Sequence, residues 1–113
     1  MDKVFIYKQS SYNGDEIKQI VSKIFRESGF EENLIPGSTA FLKVNLLRGS
    51  HPDRAVTTHP VFVRAVAEYL VERDIKVIVG DSPAGPFTPY MLKKIYKECG
   101  LVDGLEGSGA ELN

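Results

Sequence analysis

The sequence predicts an α/β domain with a mainly parallel sheet. Short apolar, β-branched segments alternate along the chain with segments whose apolar residues recur every three or four positions. Glycine, proline and other turn-forming residues separate these segments. Such alternation is typical of strands joined by right-handed helical crossovers. We therefore expect a Rossmann-like, three-layer α-β-α sandwich in the order β-α-β-α-β-α.

The first predicted elements are a strand and a helix. Val4–Tyr7 is short, β-branched and aromatic, which favours a buried strand. From Asp15 onward, apolar residues fall along one helical face until Gly29, a typical helix stop. Thr39–Leu47 is then predicted as a central strand, because it has too many consecutive apolar residues for a strand with one face in water.

The remaining predicted elements follow at short intervals. Pro60–Arg73 carries a broad apolar stripe and begins with a proline, which suits the first turn of a helix. Ile75–Val79 is a third buried strand, and Thr88 with Pro89 repeats the pattern of a cap followed by proline at the start of a third helix. The loop from Asp81 to Phe87 joins the third strand to that helix.

The end of the chain admits two interpretations. Residues 104–109 are rich in glycine, and residues 110–113 resemble the opening of another strand. Residues 104–113 are thus either a flexible tail or the start of a truncated strand. We expect residues 1–113 to form a single domain that is the N-terminal fragment of a longer protein.

Composition excludes several classes of function. The 113 residues are 42% hydrophobic and 26% charged with a formal net charge of -1, which gives no electrostatic reason to expect nucleic acid or an anionic membrane as partner. No apolar run approaches the roughly 20 residues that span a bilayer, and the N-terminus lacks the pattern of a signal peptide. We expect a cytoplasmic protein; the oligomeric state is not predicted. Cys99 is the only cysteine, so no internal disulfide or cysteine-only metal site can form.

Polar residues gather where the predicted strands end. In a parallel sheet, the loops Arg48–His59 and Asp81–Phe87 leave the same edge, where open α/β folds usually bind ligands. Lys43 and Asn45 interrupt the second strand on one side, close to this edge. Each is either a ligand contact or a structural residue, since Asn45 can anchor the following backbone and Lys43 can extend into solvent.

An anion site is the first hypothesis for this edge. Thr57, Thr58 and His59 surround the start of the second helix, where free N–H groups and the helix dipole attract phosphate or carboxylate. Arg48 or Arg54 could complete the site. The alternative is ordinary capping, in which the threonine hydroxyl serves the helix alone.

A metal or proton-transfer centre is the second hypothesis. His51, His59, Asp53 and Asp81 offer ligands suited to zinc, nickel or iron, but the spacing of the histidines matches no compact zinc motif. For His51 in particular, the alternative is a solvated side chain or a capping group. The sequence contains no G-x-S-x-G, G-x-x-x-x-G-K or G-x-G-x-x-G motif, so the common hydrolase and nucleotide-binding mechanisms lack their parts.

Three segments together resemble the N-terminal part of the Domain of Unknown Function 362 family. They are Phe41–Leu46, Ala55–Pro60 with its T-T-H-P sequence, and Val77–Pro83 with its G-D-S-P sequence. Members are bacterial and archaeal proteins, generally longer than this chain. Many are described as iron-sulfur-cluster-binding because of a cysteine-rich segment toward the C-terminus. The resemblance implies a cluster in the full-length protein only, since Cys99 alone cannot hold one.

The resemblance carries over to nine motif positions: Lys43, Asn45, Thr57, Thr58, His59, Pro60, Gly80, Asp81 and Ser82. Our leading hypothesis is a small-molecule, anion-binding domain of a larger and ferredoxin-like redox protein, with Arg48 also at the site. The first alternative is a metal-dependent enzyme that uses His59 and Asp81 as ligand or general base, with Lys43 as a further catalytic candidate. The second is a purely structural or docking domain.

Overall fold

The computed structural model describes residues 2–83, 85 and 88–113. Its regular elements are α1 (Gly14–Glu27), β1 (Thr39–Lys43), α2 (Pro60–Val71), β2 (Lys76–Gly80), α3 (Pro89–Glu98), α4 (Leu101–Gly104) and β3 (Glu111–Leu112). Short 3-10 turns lie at Phe30–Asn33 and Pro52–Arg54. Within the described residues, none of the helices has the length and apolar character needed to span a lipid bilayer.

The strands form one parallel sheet in the order β1-β2-β3. Thr39 pairs with Lys76 and Lys43 with Gly80, while Val79 pairs with Leu112 of β3. The predicted α/β class with a parallel sheet is therefore confirmed. The further strand expected at the C-terminus forms as β3, and Asn113 continues the pairing by donating its N–H to Val79 O at 2.9 Å.

The predicted first strand, Val4–Tyr7, is wrong. Residues 2–10 form neither helix nor strand, and the side chains of Val4 and Ile6 are 84% and 88% exposed. Side-chain contacts hold this segment against α1 instead, because the Tyr7 hydroxyl donates to Glu27 and the Lys23 ammonium lies 5.5 Å from the centre of the Tyr7 ring. Strand-forming residues need a neighbouring strand to pair with, and the segment pairs with none of the described backbone.

The core lies between the sheet and its helices. Val77 and Val79 of β2 are fully buried, as are Ala67 of α2 and Leu101 of α4. Cys99 is also fully buried, and its thiol donates to the Arg48 carbonyl oxygen at 3.6 Å. Close approach of α2 and α4 depends on the glycine at position 104, since a Cβ there would lie 2.8 Å from a side-chain carbon of Pro60.

The predicted second strand is shorter than expected, because β1 ends at Lys43 instead of Leu47. Val44 still donates its N–H to Gly80 O at 3.1 Å, but the Leu46 N–H turns to a side chain, the carboxylate of Asp81. The chain therefore leaves the ladder of backbone hydrogen bonds at the point where the polar residues of the candidate site begin.

Candidate functional site

Asp81 connects the ends of β1 and β2. It follows β2 directly, and its side chain is 10% exposed. Asp81 Oδ2 accepts a hydrogen bond from the Leu46 N–H at 2.8 Å, and Oδ1 lies 3.1 Å from Lys43 Nζ. Both carboxylate oxygens are thus engaged by residues of β1 and the loop that follows it.

The pKa of Asp81 shows whether burial or the contacts with neighbouring groups dominate. Burial by itself raises the pKa, but the backbone amides of Leu46 and Ser82 and the ammonium group of Lys43 outweigh burial and hold the pKa below its ordinary value of 3.8. Asp81 is therefore ionised at neutral pH. A carboxylate with both oxygens bonded in this way acts as a structural acceptor, and it is a weak base for proton transfer.

Asn45 and Thr58 join the same edge to the start of α2. The Asn45 N–H donates to Thr58 Oγ1 at 3.0 Å, and the Thr58 N–H donates to Asn45 O at 3.3 Å. The Asn45 side chain is exposed and forms no hydrogen bond within the described part of the chain. We call Lys43, Asn45, Leu46, Thr58 and Asp81 the strand-end network.

His59 is the N-cap of α2. Its Nδ1 accepts the Val61 N–H at 3.2 Å, and its ring stacks on that of Tyr12, with ring centres 3.6 Å apart and planes 9° from parallel. Burial lowers the pKa of His59, although the charge of Asp53 opposes this shift. The imidazole is therefore neutral at pH 7, and because Nδ1 accepts a hydrogen bond, the proton resides on Nε2.

The start of α2 offers an anion fewer amide donors than the sequence suggests. Pro60 has no N–H, and the Val61 N–H is already bonded to His59. Capping by His59 therefore uses part of the donor set on which the anion hypothesis depends. Any anion at this helix must be held mainly by side chains and by the helix dipole.

Thr57 differs from its neighbour Thr58. Its hydroxyl oxygen is buried and has no hydrogen-bond partner in the described part of the chain. Thr57 lines a groove of about 520 Å³ between the N-terminal segment, α1 and the start of α2. We call this the N-terminal groove. A buried hydroxyl without a partner is uncommon in folded proteins and requires an explanation.

Both polar and apolar residues line the N-terminal groove. The polar residues that line it include Gln9, Ser10, Ser11, Thr57, Thr58 and His59. The apolar residues are Phe5, Ile17, Ile20, Ile24 and Phe62. Its volume lies within the range of about 300–1,000 Å³ that is typical of small-molecule sites.

The structure divides the predicted site residues between two places. Thr57, Thr58 and His59 line the N-terminal groove, whereas Lys43 and Asp81 pair with each other in the strand-end network and do not line it. Arg48, Arg54 and Ser82 are exposed. Part of the predicted Asp81–Phe87 loop, namely Ala84, Pro86 and Phe87, lies outside the described residues.

His51 lies in a different environment from His59. Its side chain is 69% exposed, and its Nδ1 accepts the Asp53 N–H at 3.2 Å and lies 3.4 Å from Asp53 Oδ2. It therefore caps the short turn at Pro52–Arg54. Over residues 2–83, 85 and 88–113, no group of three or more histidine, cysteine, aspartate or glutamate side chains is placed to hold a metal ion.

Several groove residues were missed from the sequence. Ser10, Ser11 and Tyr12 lie between the first predicted strand and the first predicted helix and carry no recognisable motif, although Tyr12 stacks on His59 and the serines line the groove. Phe5 was assigned to a strand inside the sheet. Because the N-terminal segment was expected in the sheet, it could not also be expected beside the T-T-H-P sequence.

Comparisons with known proteins give a family but no reaction. The family model described as "Domain of unknown function (DUF362)" matches residues 41–113. A curated relative, a thylakoid-associated protein of Synechocystis sp. (strain ATCC 27184 / PCC 6803 / Kazusa), is 34% identical over 82 residues. That alignment covers 72% of this chain but 26% of the relative, so the chain spans about a quarter of the length of that protein. No solved structure matches the chain.

Proposed function

The chain belongs to the DUF362 family of unknown function, and from that premise we propose that it is the small-molecule-binding α/β portion of a longer protein. The ligand lies in the N-terminal groove. It presents a carboxylate or phosphate group to Thr57, Thr58 and His59, and its apolar part contacts Ile20, Ile24 and Phe62.

The observation that carries this proposal is the buried, unpaired hydroxyl of Thr57. Leaving such a group unpaired costs about 1–3 kcal/mol, so a site that keeps it gains when a partner arrives. Thr57 Oγ1 is out of contact with water, and a ligand engages it through a rotation about χ1. That rotation turns the hydroxyl toward the ligand and ends its unpaired state.

Two neighbouring donors support the assignment of an acceptor group on the ligand. Thr58 Oγ1 accepts from the Asn45 N–H, which leaves its own proton for a ligand. His59 is neutral and carries its proton on Nε2, because Nδ1 is occupied by the Val61 N–H. Three neutral donors beside the positive end of α2 can donate to the oxygens of an anion, although none of the three carries a full positive charge.

An iron-sulfur cluster does not fit the residues of this chain. Such clusters need several cysteine thiolates, whereas Cys99 is the single cysteine and is fully buried. Any cluster in the longer protein belongs to a segment outside these 113 residues. The chain's own contribution to a redox protein is then ligand binding.

The metal-dependent alternative requires His59 and Asp81 to act together as ligand or general base. Both oxygens of Asp81 already have partners, and His59 has only Nε2 left to offer. These contacts favour the ligand groove over a metal centre, and they give Asp81, Lys43 and the backbone of Asn45 structural roles.

A titration followed by amide NMR shifts tests the proposal. Inorganic phosphate and hexanoate are added separately to the protein. Saturable shifts are expected at Thr57, Thr58 and Ile20, and hexanoate should bind more tightly because its chain also contacts apolar residues of the groove. Thr57→Val should weaken binding about tenfold.

Thr39→Val is the matched control, because it makes the same change at an exposed position of β1 outside the groove. It should leave both titrations unchanged. The proposal fails if neither anion produces saturable shifts at the groove, or if Thr57→Val binds as tightly as the wild type.

A further inference from the structure

A second pocket lies between α3, α4 and β3. Its volume is about 550 Å³, and its walls include Pro89, Leu92, Tyr96, Val102 and Leu112. We call it the C-terminal pocket. We propose that it binds a small apolar molecule that carries a carbonyl or carboxylate oxygen, and that the Tyr96 hydroxyl donates to this oxygen.

The Tyr96 hydroxyl is, with that of Thr57, a buried polar group that has no partner among the described residues. Tyr96 is 2% exposed, and its hydroxyl oxygen has no hydrogen-bond partner in the described part of the chain. The backbone amide of Asp81 lies near this oxygen. An N–H group can donate to the hydroxyl oxygen, but it cannot accept the hydroxyl proton. Burial raises the pKa of Tyr96, so at neutral pH the hydroxyl keeps its proton and is a donor.

The structure makes room for this hydroxyl at the end of β2. A Cβ at position 80 would lie 3.1 Å from the Tyr96 hydroxyl and 3.0 Å from Asn113 Cβ, so the glycine allows both side chains to approach the strand. Asn113 also lines the C-terminal pocket, and it is exposed. The hydroxyl and Asn113 therefore lie on the same side of the end of β2, and a ligand that binds the hydroxyl would lie beside Asn113.

The chemistry of the walls determines the class of ligand. The surface of the pocket is mainly apolar, so an apolar body is bound by removal of its surface from water. Tyr96, the buried donor among the described lining residues, selects a molecule with an acceptor oxygen, because an apolar molecule without an oxygen leaves the hydroxyl proton unpaired. Lys93 also lines the pocket and is exposed, which suits a carboxylate on the ligand.

This site is independent of the N-terminal groove. The residues that line the two share no member. Failure of one proposal therefore leaves the other standing. Thr57→Val, which should weaken binding in the N-terminal groove, should leave the C-terminal pocket unaffected.

Two probes of similar size test the proposal. Acetophenone has a carbonyl oxygen, and isopropylbenzene replaces that oxygen with a methyl group. In NMR titrations, both should shift the amides of Leu92, Val102 and Leu112, and acetophenone should bind several-fold more tightly. Tyr96→Phe should lower the affinity for acetophenone to that for isopropylbenzene, with no change for isopropylbenzene.

Two further measurements keep the result unambiguous. Tyr96→Phe removes an unpaired hydroxyl, so its thermal unfolding should occur at the same temperature or higher. Val102→Phe fills the pocket away from the hydroxyl and should weaken both probes equally. The proposal is overturned if Tyr96→Phe binds acetophenone like the wild type, or if neither probe shifts these amides. The proposal is also overturned if the protein purified from its native source fails to bind acetophenone, because another part of the native protein then covers the pocket.

Discussion

Thr57 and Thr58 are neighbours of the same chemical type, but their hydroxyl groups have opposite environments. Thr58 Oγ1 is bonded to the Asn45 N–H within the strand-end network, whereas Thr57 Oγ1 is buried without a partner in the described part of the chain. Asp81 and Tyr96 repeat this contrast beside Gly80. Paired groups hold the strand ends together, and unpaired groups leave a donor for a ligand. Motif membership alone does not distinguish the two roles.

The largest effect is expected from removing the acceptor at the centre of the strand-end network. Asp81→Ala leaves the Leu46 N–H and the Lys43 ammonium without their partner. We expect a loss of about 2–3 kcal/mol in the free energy of unfolding, since a charged acceptor in a nearly buried site is lost. Urea unfolding measures this change.

Asp2→Ala is the control for this variant, because it removes an exposed carboxylate from the N-terminal segment. It should change stability by less than about 0.5 kcal/mol. If Asp81→Ala were as stable as this control, the strand-end network would not stabilise the fold and Asp81 would return as a candidate ligand.

The next expected effect is a change in the free energy of unfolding that has opposite signs for substitutions of Thr58 and Thr57. Thr58→Val removes the acceptor of the Asn45 N–H, and leaves that amide unpaired beside the end of β1. We expect a loss of about 1–2 kcal/mol in the free energy of unfolding. Exchange of the Asn45 amide proton with solvent should also become faster, and NMR measures both quantities on one sample.

Thr57→Val should have the opposite sign. Valine has the same shape as threonine, and the change removes a hydroxyl that pairs with nothing in the described part of the chain. We expect the ligand-free protein to gain up to about 1 kcal/mol in the free energy of unfolding. A loss of more than about 1 kcal/mol would mean that the hydroxyl has a structural partner, and would remove the main support for the N-terminal groove as a binding site.

The fold was predictable wherever a segment's local pattern agreed with its surroundings. Apolar periodicity predicts α1, α2 and α3, and consecutive β-branched residues predict β2. The same local rule gives Val4–Tyr7 as a strand and fails, because pairing depends on whether a neighbouring strand edge is reached. The early end of β1 was also hidden, since it depends on the distant Asp81 taking the Leu46 N–H.

The candidate site was predictable in position more than in role. The rule that parallel strands end at one edge brings Lys43 and Asp81 together, as the structure shows. It cannot tell Thr57 from Thr58, because their difference arises from the path of the Asn45 backbone. Tyr96 gave no signal at all, since a tyrosine on the apolar face of a helix predicts a core residue.

The smallest effect concerns the pH dependence of His59. Its pKa is below the ordinary value of 6.5 because of burial, and the charge of Asp53 only partly offsets this. The neutral form is favoured in the folded state, so the stabilisation from His59 is complete above pH 6.5 and is lost as the pH falls through the lower folded pKa. Protonated Nδ1 cannot accept the Val61 N–H, and a positive charge is unfavourable at the start of α2.

His59→Asn tests this cause, because asparagine is a good N-cap that does not titrate. The melting temperature is measured at about pH 7.5 and about pH 5. The drop between these two values should be smaller in His59→Asn than in the wild type. An unchanged drop in His59→Asn would show that His59 is protonated without cost, and the site would then have a cationic donor in place of three neutral ones.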